Sequence, residues 1–88
     1  MEIDFSDNAL TDLDYWKQKG TVTIKARITK LIEAIRHSPF TGIGKPEPLR
    51  YELSGKWSRR IDDKNRIVYN VINQRIKIYS LRGHYGNK

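Results

Sequence analysis

The stretch "RIVYNVINQRIKIYSLR", residues 66–82, decides the fold. In "RIVYNVI" Ile67, Tyr69 and Val71 fall on one face and Val68 with Ile72 on the other, the period of two expected of a strand. "RIKIYSLR" repeats the pattern, with Ile76 and Ile78 opposite Tyr79 and Leu81. Between them Asn73 and Gln74 have the length and polarity of a tight hairpin turn. A third run, "KWSRRID" (56–62), sets Trp57, Arg59 and Ile61 against Ser58, Arg60 and Asp62, and "DDKN" (62–65) turns it into the next strand. The second half is therefore expected to be an antiparallel meander, with a weaker strand through "LRYEL" (49–53).

Upstream of the meander the period changes. "MEIDF" alternates Ile3 and Phe5 with acidic residues and reads as a short strand. Ser6 is a helix N-cap with Asp7 in the first turn, and Leu10, Leu13 and Trp16 follow at helical spacing up to Gly20. In the next helix Ile24, Ile28, Leu31, Ile32 and Ile35 form one apolar stripe, with Lys25, Arg27, Lys30 and Arg36 mostly off it. "HSP" at 37–39 closes that helix, because the residue before a proline leaves the helical region, and His37 suits the negative end of its dipole. The expected architecture is α+β in a single domain over residues 1–88. It has an N-terminal strand, a two-helix hairpin and an antiparallel twisted sheet, with the helices covering one face.

Eighty-eight residues give one domain with a modest core. The chain has no cysteine, which excludes disulfides, thiolate metal sites and a cysteine nucleophile. The N-terminus is acidic where a signal peptide is basic, and no apolar run approaches a membrane span, so a cytoplasmic protein without a membrane partner is expected. Residues 1–44 hold six Lys/Arg and six Asp/Glu, whereas residues 45–88 hold eleven and four, so the net charge of +7 lies entirely in the second half. Such a field attracts polyanions.

"GKPEPLR" (44–50) supplies a candidate for chemistry. It puts Glu47 between two prolines, with Lys45 and Arg50 close by. Lys45 and Glu47 each precede a proline and are expected to be extended. Arg60 and Arg66 lie on adjacent strands, and His84 with Tyr85 follows the last strand. These groups suffice to cleave RNA without a metal or other cofactor. A carboxylate takes the proton from the ribose 2′-hydroxyl, arginine neutralises the phosphorane, and a histidine or tyrosine protonates the leaving oxygen. Two histidines so far apart in sequence make a poor metal site.

The order "GKPEPL", "LSGKWSRRI" (53–61), "NRIVYNV" (65–71) and "HY" (84–85) resembles the YoeB toxins of the RelE-like superfamily over essentially the whole chain. The resemblance implies an endoribonuclease that cuts messenger RNA in the ribosomal A site and stops translation. It also implies a YefM-type antitoxin partner whose acidic segment covers the site, and it leaves a homodimer open. By motif, Glu47 is the general base, Arg66 the phosphate stabiliser, His84 the general acid and Tyr85 its support. Lys45 and Arg60 add RNA and transition-state contacts, and Arg50 and Arg59 complete the expected RNA-binding set, although alternation turns Arg59 away from Arg60. A non-catalytic RNA- or ribosome-binding module using the same basic face with Trp57, Tyr69 and Tyr79 is the alternative; it would not need Glu47. A lone DNA-binding repressor ranks lower, since no helix-turn-helix pattern is present.

Overall fold

The computed structural model describes residues 1–83. Strand β4 (Arg66–Ile72) and strand β5 (Arg75–Ser80) form the expected hairpin. Asn73 and Gln74 both take positive φ, 50° and 64°, the backbone of a primed turn whose twist matches that of the flanking strands. Strand β3 (Trp57–Arg60) pairs antiparallel with β4, aligning Trp57 with Tyr69, Ser58 with Val68, Arg59 with Ile67 and Arg60 with Arg66.

The sheet grows at both ends in ways the meander did not foretell. Strand β1 (Glu2–Phe5) lies parallel to β5, so the sheet is mixed, not purely antiparallel; with the two-residue strand β2 (Glu47–Pro48) its order is β1-β5-β4-β3-β2. Arg75 fixes this edge, donating to Asp4 Oδ2 from Nε (2.9 Å) and to Oδ1 from Nη2 (2.8 Å), with Glu2 at 3.4 Å from Nη1. This arginine holds the Asp4 carboxyl below its ordinary range. The opposite edge is β2, only Glu47–Pro48, paired with β3 through Glu47–Ser58 and Pro48–Trp57. Proline is tolerated there because an edge strand has one unpaired side. The strand expected over 49–53 is absent: Leu49 N–H donates to Lys56 C=O, and Tyr51, at φ 59°, opens a 3-10 turn over Tyr51–Leu53.

Helix α1 (Asp7–Lys19) and helix α2 (Val22–His37) cover one face of the sheet. Ser6 Oγ accepts from Ala9 N–H and Thr21 Oγ1 from Ile24 N–H, the N-cap bonds that satisfy first-turn donors. In α2 the apolar stripe is seated as expected, with Ile28, Leu31 and Ile35 buried. In α1 the buried positions are Ala9, Asp12 and Trp16, whereas Leu10 is exposed. These helical residues meet Ile67, Tyr69, Ile76, Ile78 and Leu81 in one core. Leu81 joins the core because β5 carries a register irregularity. Val68 pairs with Ser80 but Tyr69 with Ile78, so Tyr79 has no opposite residue and the alternation shifts. Leu81 thus lies with Ile76 and Ile78, not with Tyr79. Among the described residues no helix is long and apolar enough to cross a membrane.

Candidate active site

Strand parity sorts the charged residues. Arg59 aligns with Ile67, an inward residue, so it enters the layer between sheet and helices; Glu47, Ser58, Arg60 and Arg66 share the other face. On that outer face Glu47 Oε1 lies 3.0 Å from Arg66 Nη1, which also donates to Ser58 Oγ at 3.2 Å. The Arg66 side chain is only 13% exposed and that of Glu47 42%. The guanidinium is thus held from below by a buried hydroxyl, and the carboxylate reaches it from the rim. Arg60 stands directly across the ladder from Arg66, a like-charge pairing that costs stability unless an anion is shared. Its Nε hydrogen is buried and has no acceptor among the described residues. Two arginines therefore share this face with one carboxylate, and the Arg60 Nε–H has donor capacity left over.

The loop that delivers Glu47 is built around Arg59. This side chain is 0% exposed and donates from Nη2 to Ser38 C=O and Thr41 C=O, from Nη1 to Ile43 C=O at 3.0 Å, and from Nε to Tyr69 hydroxyl at 3.1 Å. Tyr69 hydroxyl in turn donates to Pro39 C=O, and its burial raises the phenol above its ordinary range. A buried cation without a carboxylate partner is tolerated only when its donors are satisfied, and here backbone carbonyls of residues 38–43 do so. Arg59 is therefore not an RNA contact, contrary to the expectation from its charge; it is a clamp on the loop before Glu47. Farther along, Arg60 N–H donates to Gly44 C=O at 2.7 Å, and Gly44 turns at φ 83° where a Cβ would lie 2.6 Å from Leu31 Cδ2. Lys45 follows at φ 52°. It is left-handed, not extended as its place before Pro46 suggested, because the chain must turn sharply from Gly44 to enter β2; that conformation stores about 1–3 kcal/mol. Glu47 itself is extended, as expected. Lys45 is exposed, and Arg50 lies at the start of the 3-10 turn on the exposed loop.

His84 and Tyr85 lie outside the described residues. The residue before them does not: Gly83 N–H donates to Asn65 Oδ1 at 3.0 Å, and Gly83 C=O accepts from Arg66 N–H at 3.0 Å. Helix α1 holds the preceding residues. Asp12, 7% exposed, accepts from Leu81 N–H at 2.8 Å, and Trp16 Nε1 donates to Leu81 C=O at 2.8 Å. Arg82 stacks on the Tyr15 ring at 3.5 Å. The sequence marks Trp16 only as an apolar helix position and Ser58 only as part of a strand alternation, and it does not single out Asp12. For Ser58 the signal was present, since alternation in "KWSRRID" puts it on the side of Arg60. Asp12 carried the weaker one of a carboxylate at i−4 from a core tryptophan.

The profile of the YoeB-like toxins of bacterial type II toxin-antitoxin systems matches residues 5–85. The chain belongs to this family. A YoeB toxin of Mycobacterium bovis is 46% identical over 83 residues, covering 94% of this chain and 96% of that protein. Among solved structures, a YoeB/ParE toxin from Agrobacterium tumefaciens superposes with a TM-score of 0.90 at 34% identity, covering 97% of this chain and all of that one. The YoeB of a Staphylococcus aureus YoeB-YefM complex superposes at 0.84 with 38% identity, covering 97% and 98%, and that toxin has also been solved as a dimer. As a YoeB-like toxin the chain has the family's α+β fold, and the Glu47–Arg66 pair lies within the matched span.

Proposed function

We propose that this toxin is a metal-independent endoribonuclease that cleaves messenger RNA in the ribosomal A site and so arrests translation. The observation that carries the reading is the Glu47–Arg66 contact of 3.0 Å on a sheet face where Arg60 adds a second guanidinium. A structural ion pair would need neither the second arginine nor an unpaired buried N–H. In the reaction Glu47 removes the proton of a ribose 2′-hydroxyl, and that oxygen attacks the adjacent phosphorus. Arg66 and Arg60 neutralise the charge that develops on the non-bridging oxygens, with the planar fork of Arg66 matched to two of them. The bond to the 5′-oxygen breaks as His84, assisted by Tyr85, donates a proton to it. The upstream fragment keeps a 2′,3′-cyclic phosphate and the downstream fragment a 5′-hydroxyl. Gly83, bonded to Asn65 and Arg66, supports the assignment of His84, the next residue in sequence. Lys45 and Arg50 extend the RNA contacts along the loop. Among the described residues no three His, Asp or Glu side chains come together as metal ligands.

The net charge of +7 favours an acidic antitoxin segment that folds on contact, a YefM-type partner as in the Staphylococcus aureus complex. A homodimer is the counterpart of the solved dimer of that toxin. We assign the protein to the cytoplasm, where ribosomes are. Glu47→Gln tests the base directly: it keeps shape but accepts no proton, so cleavage of ribosome-bound message should fall about 10²–10⁴-fold while the thermal unfolding profile is retained. Full activity of that variant at equal concentration would remove Glu47 from the mechanism and favour the non-catalytic binding module.

A further inference from the structure

We propose that Tyr79, flanked by Lys56 and Lys77, is a base-stacking subsite for the RNA strand, on the same sheet face as Glu47 and Arg66. The inference rests on the RNA-cleaving reading above and extends it to how the strand is held. The bulge in β5 leaves Tyr79 without an opposite residue in β4, and bulges commonly re-aim a side chain beside a functional site. The ring is steadied at its far end, where the hydroxyl donates to Asn70 Oδ1 at 3.1 Å. Lys56 Nζ lies 4.5 Å from the ring centroid and Lys77 Nζ 5.4 Å. Among the described residues neither ammonium has a carboxylate within ion-pair distance. Two cations gathered on one ring, with Asp4 the carboxylate beside Lys77 but already engaged by Arg75, form a site for an anionic, flat-faced ligand.

Single-stranded nucleic acid has that chemistry. A base stacks on the ring, and its flanking phosphates take the ammonium groups that the ring had held by cation–π contact. Every base has a π-face, so the subsite tolerates sequence. Asn70 lies four residues beyond Arg66 on β4, about 13 Å along a strand, so RNA cut at Arg66 reaches Tyr79 within a few nucleotides. An acidic peptide would use the lysines but not the anchored ring, and RNA is therefore the favoured occupant.

The test uses the Glu47→Gln protein, in which cleavage should be slowed about 10²–10⁴-fold, and an oligoribonucleotide with 2-aminopurine placed at each position in turn. One position should be quenched on binding. Tyr79→Leu should abolish that quench and raise Kd about tenfold or more, whereas Tyr79→Phe should keep both. Lys56→Gln with Lys77→Gln should keep the quench and reduce the salt dependence of log K by about two. Should Tyr79→Leu not fold, the lysine pair decides alone, and an unchanged Kd and salt slope overturns the subsite. Unchanged binding by Tyr79→Leu, no quenched position, or a loss confined to an acidic antitoxin peptide also overturns it. Cleavage of ribosome-bound message by the unmutated toxin, measured in parallel, separates the two ideas. If the toxin cleaves but no position is quenched, only the subsite falls; if the toxin does not cleave yet Tyr79→Leu abolishes a quench seen with the parent protein, only the cleavage reading falls.

Discussion

Arg59 has its guanidinium among backbone carbonyls and Arg66 has its own against a carboxylate, and substitution separates the two roles. Arg66→Lys should be nearly as damaging to cleavage as Arg66→Ala, within a few-fold in kcat, because lysine keeps the charge and loses the planar fork. Recovery of full activity with lysine would reduce Arg66 to a distant charge. Arg59→Met keeps the aliphatic stem but strips donors from the carbonyls of Ser38, Thr41 and Ile43 and from the Tyr69 hydroxyl. Buried acceptors left without donors cost about 1–3 kcal/mol each, partly offset by removal of a buried charge, so the urea midpoint should report a loss of about 2–4 kcal/mol. A midpoint unchanged by Arg59→Met would mean that water replaces the clamp. From sequence the two arginines look alike. Parity on the strand already turned Arg59 from Arg60, but which side faces the helices is set by the register with Ile67, and register is not written in a single strand.

The β4–β5 hairpin and the N-cap of α1 were legible because each depends on neighbours a few residues away: Asn73-Gln74 for the turn, Ser6 with Ala9 for the cap. The parallel pairing of β1, the short β2 and the bulge at Tyr79 were not, since each is decided by register against another strand and not by the residues of its own segment. Leu10 shows the same limit. It keeps helical spacing with Leu13 and Trp16, yet α1 turns Asp12 inward, where it receives Leu81 N–H. That contact links α1 to the end of β5 and yields a prediction. Asp12→Ala leaves a buried N–H without an acceptor and should destabilise the protein by about 1–3 kcal/mol. Asp14→Ala, on the exposed side of the same helix, should stay within about 0.5 kcal/mol. Equal effects of the two substitutions in chemical denaturation would show that the Leu81 contact carries no stability.

The whole molecule divides its labour between halves. The neutral first half supplies the helical layer, and the basic second half supplies the face that carries Glu47, Arg60 and Arg66. That division was readable from composition and pattern, as was the candidate base on its proline-flanked loop. The contact between Glu47 and Arg66 was not, because residues 47 and 66 meet only through the pairing of β2 with β3 and of β3 with β4. The central claim is that the nucleophile belongs to the RNA and not to water. The measurement that tests it most directly is cleavage of a ribosome-bound message carrying one 2′-deoxy nucleotide just 5′ of the scissile phosphate, with the product ends identified. Cutting at that bond should vanish while binding barely changes, and the all-ribo control should yield a 2′,3′-cyclic phosphate or its 3′-phosphate hydrolysis product and a 5′-hydroxyl. Persistent cutting at the deoxy position, or a 5′-phosphate on the downstream fragment, would contradict the account.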